Sequence, residues 1–433
     1  MSTQTAWTSE QEAVIARAKA KQEPQWMQDL RVNALNKAGE LAWPVLEKMK
    51  MDRWALGELA TVIDSDKIQA VTDLPEVAQS LVANLEGNIV IQMNSSVVYS
   101  NVTAEAQKAG VIISDLHTAL QTHGELIQKY FAQAVAVDEH RVSALHYAMW
   151  SGGIFVYVPR NVIIEQPIQA VFCSDNASAS FAPHVLMIAE ANSQVTYVDN
   201  FISTTEGQAF TQNGVVEVFV KNGAKVNFAT IHELGASSVD INYRRAILEN
   251  DARIEWAVGE MSAGNGISDT MSVLKGNGSN SNAKLITIGT NAQKWSISTR
   301  AQHFGRNSES NMLTRAVMKD ESTAIINGIT KIEKGATGAN GQQTEKVLML
   351  SPNARGDANP ILLIDEDDVK AGHAASVGQL NPEQLYYLKS RGIPQEVALR
   401  LLTYGFLAPI VEEIPLEVLR EQLQALVERK LNA

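Results

Sequence analysis

Asparagine-centred turns recur at nearly constant intervals through the middle of the chain. They are separated by 30, 28, 27 and 30 residues and lie at Asn192, Asn222, Asn250, Asn277 and Asn307. Secondary turns near Gly289 and Asp320 fall close to the half period, and short strands such as 195–198 and 254–258 lie between the turns. No stretch with the length and periodicity of an amphipathic helix interrupts residues 153–370. The pattern fits a β-helix or a large sandwich, and the near-constant period favours the β-helix.

The N-terminal stretch predicts helices and a few short strands. Ser9 and Glu12 form a predicted capping box, and that helix should end before Pro24. A second helix, with its apolar face at Met27, Leu30, Ala34 and Ala38, should end at Gly39. Short strands are expected at 88–93 and 111–113, followed by a helix that ends near Ser151.

The last 50 or so residues predict three further helices. Asn381 is the expected N-cap of the first, with Gln384 able to close a capping box and Gly392 at its end. The second should begin at Pro394 and stop at Gly405. The third should place Leu416, Leu419, Leu423 and Leu426 on one face.

These elements predict a mainly β protein with three domains. We expect an N-terminal helical or mixed domain over residues 1–150, a β-helix core over 151–375 and a C-terminal helical domain over 376–433. The helices should cover the apolar ends of the solenoid, because an uncapped coil exposes its interior face. A chain of 433 residues also exceeds the roughly 250–300 at which a single globular core stops growing.

Composition and charge exclude several classes of function. The formal net charge of −12 and the lack of a basic stripe argue against nucleic-acid binding. Apolar runs such as 152–158 are far shorter than the roughly 20 residues that span a bilayer, and no secretory signal pattern is present. The single cysteine excludes an intrachain disulfide and a cysteine-only metal site. We therefore expect a cytoplasmic protein that binds neither nucleic acid nor membrane.

Motifs for catalysis are absent from the sequence, which predicts no catalytic residue and no resident cofactor. Phosphate-binding loops, His-Glu-x-x-His and Gly-x-Ser-x-Gly do not occur, and the glycine-rich run 259–266 is expected to be a loop between strands. The acidic run 365–368 could bind a hard cation or supply paired carboxylates. It lacks the alternation of a calcium loop, so a solvated turn is expected. The carboxylates of the solenoid show no clustering along the sequence.

Isolated histidines and the cysteine are expected to be structural. His184, His232 and His303 lie in or beside predicted strands. His117 and His123 are six residues apart, so they do not share a helical face and are expected at the surface or at helix caps. Cys173 lies in a strand-like run and is expected to be a small buried hydrophobic residue.

Two long segments resemble the SufB/SufD family of iron–sulfur cluster assembly scaffold proteins. Residues 367–393 read DDVKAGHAASVGQLNPEQLYYLKSRGI and include His373, and residues 144–159 read ALHYAMWSGGIFVYVP. Residues 405–409 and the final helix are also similar to the family, and the resemblance runs from about Pro24 to the C-terminus. SufB-like members carry a functional cysteine near the C-terminal core. The only cysteine of this chain is Cys173, so the SufD branch is favoured. Some SufD-like members carry a cysteine where this chain has Ala371, so thiol chemistry beside His373 is excluded.

The resemblance implies a right-handed parallel β-helix between helical domains. It also implies a heterodimer with the paralogue SufB, in which each subunit carries a SufC ATPase on its C-terminal helices. A homodimer is possible for the isolated chain, and persulfide chemistry would belong to SufB. His373 is the one candidate metal ligand, contributing a ligand or a proton-transfer group to a transient iron–sulfur cluster at the subunit interface.

Other interpretations remain open from the residues alone. His373 has the small neighbours Gly372, Ala374 and Ala375, so its ring could face a partner, or it could hydrogen-bond the turn that leads into the helix at Asn381. β-Helices also occur in polysaccharide lyases and hydrolases, which would show carboxylates and aromatic residues along a groove. A homo-oligomeric structural β-helix would leave the segment around His373 unexplained.

Overall fold

A computed structural model describes residues 3–46, 48–51, 54, 56, 61–82, 86–205, 207–412 and 417–432. The N-terminal part contains α1 (Thr3–Ala20), α2 (Gln25–Glu40), a 3-10 turn (Val71–Asp73), α3 (Glu76–Gln79), β1 (Asn88–Met93), β2 (Ser96–Asn101), α4 (Ala104–Lys108), β3 (Ile112–Asp115), α5 (Leu116–Thr122), α6 (Gly124–Gln128) and α7 (Arg141–Met149). The predicted strands at 88–93 and 111–113 are confirmed. The predicted start of the first helix at Ser9 is wrong, because α1 already contains Thr3, but its end before Pro24 is confirmed.

Sixteen strands then follow, and the described residues between them form no helix. They are β4 (Gly153–Val158), β5 (Ile168–Ser174), β6 (His184–Ala189), β7 (Gln194–Ser203), β8 (Phe210–Val220), β9 (Lys225–Glu233), β10 (Ser238–Leu248), β11 (Arg253–Glu260), β12 (Asn265–Leu274), β13 (Asn280–Gly289), β14 (Lys294–His303), β15 (Glu309–Met318), β16 (Thr323–Ile332), β17 (Asn340–Met349), β18 (Arg355–Ile364) and β19 (Lys370–Gln379).

The strands alternate between two sheets, so each pair of consecutive strands forms one coil of a solenoid. Sheet 1 has the order β19-β17-β15-β13-β11-β9-β7-β5-β1-β2, and sheet 2 has the order β18-β16-β14-β12-β10-β8-β6-β4-β3. All pairs from β4 onward are parallel and in register, and the antiparallel pairs β1–β2 and β3–β4 begin the sheets. The predicted parallel β-helix is confirmed.

Asparagine side chains connect consecutive coils at the predicted turns. The Oδ1 atom of Asn222 accepts a hydrogen bond from the backbone N–H of Asn250 at 3.0 Å, and Oδ1 of Asn250 accepts one from Asn277 at 2.8 Å. Asn192 and Asn307 adopt positive φ angles of 59° and 54°, which asparagine tolerates better than most residues. The repeat in the sequence is therefore a ladder of turns that fixes the register of the coils.

The N-terminal helices pack against the outer face of sheet 2. Met27 and Leu35 of α2 and Leu116 of α5 belong to one buried apolar cluster with outward side chains of the sheet such as Leu186 and Val215. Glu217 on β8 joins the two parts, because its buried carboxylate accepts backbone hydrogen bonds from Ala132, Ala134 and Val135 at 2.6–3.0 Å.

The C-terminal helices pack against the outer face of sheet 1. They are α8 (Pro382–Ser390), α9 (Gln395–Val411) and α10 (Glu417–Asn432). Leu407 of α9 and Leu423 of α10 are buried with Ile231 and Ile286 of the sheet. The predicted stop at Gly405 is wrong, because the packing of Leu407 and Ile410 carries α9 through Gly405 and Pro409. Asn381 caps α8 as expected, through the N–H of Glu383.

The helices thus cover the faces of the solenoid, whereas its last coil ends in exposed strands. Inward residues of β16 and β17, such as Ile332 and Val347, are buried, but their register partners Ile364 and Val377 are 42% exposed. The expectation that helices cap this end is wrong for the described residues.

Within the described residues, none of the helices is long and apolar enough to cross a bilayer. The domain boundaries at 150 and 375 stay predictions, although β19 continues the sheet to Gln379.

Candidate functional site

His373 lies on β19, the edge strand of sheet 1, and its side chain is exposed. Its register partner on β17 is Gln343, which is 2% exposed and points into the solenoid. Register partners on parallel strands project to the same side, so His373 lies on the interior face of the terminal coil. Ala371 and Ala375 flank it on that face with only methyl groups. The imidazole is therefore accessible from the open end of the solenoid.

A layer of polar side chains lies directly beneath the terminal coil. The hydroxyl of Thr330 donates to Oε1 of Gln343 at 2.8 Å, and Nε2 of Gln343 donates to the carbonyl of Gly328 at 3.1 Å. These bonds link β16 and β17 across the interior. The interior beneath the open end is therefore polar around Gln343 and Thr330, although Ile326 and Val347 of the same coil are apolar.

Glu345 is the ionisable member of this layer, and the sequence analysis missed it. Glu345 is 1% exposed, and its Oε2 atom has no hydrogen-bond partner among the described residues. Burial raises the pKa of Glu345 to about 7. The carboxylate lies against Gly328, where a Cβ atom would come within 1.8 Å of Oε1. The sequence offers no clear signal, because the inward alternation of residues 341, 343, 345 and 347 becomes evident only once β17 is placed in the coil.

A second group of ionisable side chains is fully buried further inside the solenoid. His232 of β9, Asp240 and Arg244 of β10 and Glu260 of β11 are all at most 1% exposed. Nη2 of Arg244 lies 2.9 Å from Nε2 of His232, and Nη1 lies 3.0 Å from Oε1 of Glu260. Nδ1 of His232 lies 3.2 Å from Oδ1 of Asp240, and Ser262 donates to Oδ2 at 2.6 Å.

The hydrogen bonds of this buried cluster assign its protons. A guanidinium can only donate, so Nε2 of His232 accepts from Arg244 and the ring proton lies on Nδ1, facing Asp240. Burial alone would raise the pKa of Asp240, but His232, Ser262 and Arg244 together hold it below its ordinary value. The ligand atoms of His232, Asp240 and Glu260 lie within 4.8 Å of one another, as in a metal site. The Arg244 guanidinium occupies the position of the cation, so the cluster is a structural ion network.

The buried cluster corrects two expectations from the sequence. The carboxylates of the solenoid do cluster, because the register of β9, β10 and β11 brings Asp240 and Glu260 together across the interior. The run 259–266 is not a loop throughout, since Gly259 and Glu260 belong to β11. Because these side chains are sealed inside the coils, a polysaccharide cannot reach them.

The other solenoid histidines are buried and bonded, as expected. Nε2 of His146 lies 3.0 Å from Nδ1 of His184, whose Nε2 lies 3.3 Å from Oε2 of Glu217. His303 lies 2.8 Å from the hydroxyls of both Ser308 and Ser310. These contacts are consistent with structural roles in the core.

The remaining singled-out residues also have structural surroundings. Cys173 is buried, and burial raises the pKa of its thiol to about 12. His117 is partly buried in the first turn of α5, where it stacks on Trp150 with ring centroids 4.4 Å apart, whereas His123 is the N-cap of α6, as expected. In the acidic run, Glu366 accepts from the N–H of Gly335 at 2.8 Å, which fits the expected solvated turn.

The C-terminal helices combine a fixed element with an exposed one. α10 is anchored where Nζ of Lys430 donates to the carbonyls of Ser262 and Ile288, each at 3.0 Å. Burial lowers the pKa of Lys430 to about 8. By contrast, α8 has no buried residue, and its Tyr386 and Tyr387 are 74% and 56% exposed.

Sequence comparisons agree with this architecture. The chain matches the SufBD core domain of the SUF system for iron–sulfur cluster assembly over residues 172–406, and the SufBD N-terminal region over residues 9–170. The chain therefore belongs to the SufBD family of iron–sulfur cluster assembly proteins.

Relatives include the iron–sulfur cluster assembly protein SufD of Bacillus subtilis, 41% identical over 99% of both chains. A SufBD family protein of Staphylococcus epidermidis is 28% identical over 92% of this chain and 88% of its own. A SufBD family protein of Staphylococcus aureus strain USA300 is also 28% identical over the same shares. The resemblance read from residues 144–159 and 367–393 is confirmed.

Proposed function

We propose that this chain is a non-catalytic scaffold subunit of a cytoplasmic SufBCD-type assembly complex. In this proposal it pairs with SufB, binds a SufC ATPase through its C-terminal helices, and contributes His373 to the nascent cluster site at the interface. The observation that carries the proposal is the position of His373, exposed on the interior face of an uncovered terminal coil.

The end of the solenoid has the properties of a subunit interface. β18 and β19 are edge strands whose backbone groups can pair with another chain, and natural proteins usually protect such edges. Ile364 and Val377, which belong to the interior face, are left 42% exposed. A partner that covers this end would bury them and would bring its own side chains close to His373.

One imidazole cannot hold an iron–sulfur cluster alone. Neutral imidazole binds iron through one nitrogen, and clusters are usually held by several ligands. Cys173 cannot be one of them at this site, because it is buried on β5, far along the solenoid from β19. The remaining ligands must therefore come from the partner, which supports a site shared between subunits.

The C-terminal helices offer a separate surface for the ATPase. Tyr386 and Tyr387 of α8 and Leu401 of α9 expose aromatic and aliphatic surface beside the anchored α10, with Leu401 51% exposed. Aromatic residues are enriched at interfaces because they combine large apolar area with few rotatable bonds. A groove of about 420 Å³ between α9, α10 and the segments that follow β15 and β17 is lined by Leu350, Leu399 and Leu431.

Co-expression with SufB and SufC, followed by affinity purification through this chain, tests the proposed partners. Val377→Asp should remove SufB from the purified complex, and the double variant Tyr386→Ala, Tyr387→Ala should remove SufC. Ile163→Asp, at an apolar side chain that is 63% exposed between β4 and β5 at the other end of the solenoid, is the matched control. Retention of both partners by the first two variants would contradict the assignment of these surfaces.

Surface substitutions are preferable to truncation for this test. Removal of the chain after Leu380 would uncover Ile231, Ile286 and Ile288, which α9 and α10 bury against sheet 1. Loss of SufC from a truncated chain would therefore not separate a missing contact from a damaged core.

A further inference from the structure

We propose that Glu345 and His373 together bind one divalent first-row cation at the open end of the solenoid, which in the complex is the Fe²⁺ that supplies the nascent cluster. This inference rests on the proposed role of His373 and adds to it a second residue, Glu345. It is carried by the position of a buried, unpartnered carboxylate one strand away from an exposed imidazole.

The strand register places the two side chains on the same side of neighbouring strands. Glu345 pairs with Ala375, and Gln343 pairs with His373, so Glu345 and His373 are offset by one strand and two residues. With a strand spacing of about 4.8 Å and a rise of about 3.3 Å per residue, their Cα atoms are roughly 8 Å apart. Both side chains face the interior, and Ala375 places only a methyl group above Glu345. An ion between them is within reach of both side chains.

Gly328 provides the space for the carboxylate. A Cβ atom at this position would lie 1.8 Å from Oε1 and 2.8 Å from the carboxyl carbon of Glu345, so any larger residue displaces the carboxylate. Oε2 has no hydrogen-bond partner among the described residues. Buried carboxylates are normally paired or coordinate a metal, and this one therefore has a free ligand atom.

The buried cluster around Arg244 shows by contrast what Glu345 lacks. There, the guanidinium lies 3.0 Å from Glu260 and supplies the positive charge that two buried carboxylates need. No ion pair in the described part of the chain includes Glu345. The only hydrogen bond that lowers the pKa of its carboxyl comes from its own backbone. The compensating cation must come from solution, either as a proton or as a metal ion.

The ligand chemistry selects the class of ion. Imidazole suits iron, zinc and nickel, whereas carboxylate suits manganese and magnesium, and a mixed pair fits divalent ions such as Fe²⁺ and Mn²⁺. Two protein ligands leave most coordination positions open. Sulfide and the partner's ligands can then join the ion without displacing either residue.

Titration of the purified chain with Mn²⁺, followed through the electron paramagnetic resonance signal of the free ion, tests this inference without the complex. The wild-type chain should bind one Mn²⁺. Glu345→Gln and His373→Ala should each weaken binding by about 10- to 100-fold, the cost typical of damage to a metal site. Gly328→Ala should weaken it as well, because it displaces the carboxylate. Asp367→Asn, at a fully exposed carboxylate in the acidic run at the same end, is the matched control and should bind as the wild type does.

Several results would overturn the inference. Wild-type affinity in Glu345→Gln shows that the carboxylate carries only a proton, and loss of binding in Asp367→Asn moves the ion to the acidic run. Lack of Mn²⁺ binding by the wild-type chain at millimolar ion also overturns it. None of these outcomes affects the partner purification, so failure here is distinguishable from failure of the proposed function.

Discussion

Replacement of Glu345 by glutamine should stabilise the protein, and the gain should depend on pH. The folded state raises the pKa of this carboxyl from 4.5 to about 7, so ionisation is less favourable in the folded chain than in the unfolded one. Below pH 4.5 the group is protonated in both states and the effect vanishes. The penalty grows as the pH rises from 4.5 to 7 and is complete above pH 7, where the carboxyl is charged in both states.

The magnitude follows from the difference in pKa. At 1.36 kcal/mol per pH unit, the rise from 4.5 to about 7 corresponds to at most about 3 kcal/mol. Glu345 lies one coil from the open end of the solenoid, where water reduces the penalty, so we expect about 1–3 kcal/mol at pH 8. Glutamine has nearly the same shape, so the comparison changes the charge and leaves the packing intact.

Urea denaturation at pH 6 and pH 8 measures the effect. The midpoint of Glu345→Gln should exceed that of the wild type at both pH values, with the larger difference at pH 8. Glu309→Gln, at an exposed side chain on β15, should leave the midpoint within experimental error. An unchanged or lower midpoint for Glu345→Gln at pH 8 refutes the reasoning, as does a gain that is equal at both pH values.

Two further predictions concern buried groups. Arg244→Met should lower the free energy of unfolding by about 3–5 kcal/mol, because Asp240 and Glu260 would stay buried without their cation; a thermal midpoint close to that of the wild type contradicts the network. Cys173 should not react with a thiol reagent in the native protein and should react with one equivalent after denaturation, since its thiol is buried and its pKa is about 12. Rapid native labelling would show that β5 opens.

The stability cost of Glu345 is itself informative. A buried carboxylate without a partner weakens the fold, and natural proteins commonly accept such costs where a group is needed for function. Glu260, which is buried to the same degree, avoids the cost through Arg244. The contrast between the two residues supports a role for Glu345 that is not structural.

The solenoid could be predicted from the sequence because its signals are local. The turns at Asn222, Asn250 and Asn277 have to repeat, since each side chain bonds the backbone of the next coil. The segment containing His373 could be assigned to the SufB/SufD family from its residues, and the comparisons confirm the family. The Asn381 cap was also readable, because a capping side chain acts on the N–H groups that follow it.

Features that depend on distant residues could not be predicted. Asp240 and Glu260 meet only because the register of three strands aligns them, and no spacing along the sequence reports that register. Gly405 did not end α9, because burial of Leu407 and Ile410 against sheet 1 outweighs the helix-breaking tendency of one glycine. The same packing places the helices on the faces of the solenoid and leaves its end open.

The most direct test of the proposed function is cluster assembly by the complex that carries His373→Ala. The complex with SufB and SufC would be supplied with Fe²⁺, a sulfur donor and ATP, and cluster formation would be followed by visible absorption. Ser376→Ala, an exposed residue on the opposite face of β19, serves as the control. We expect the His373→Ala complex to purify with both partners and to assemble clusters about tenfold more slowly or worse. Normal assembly by that complex would show that His373 is structural and would contradict the proposed site.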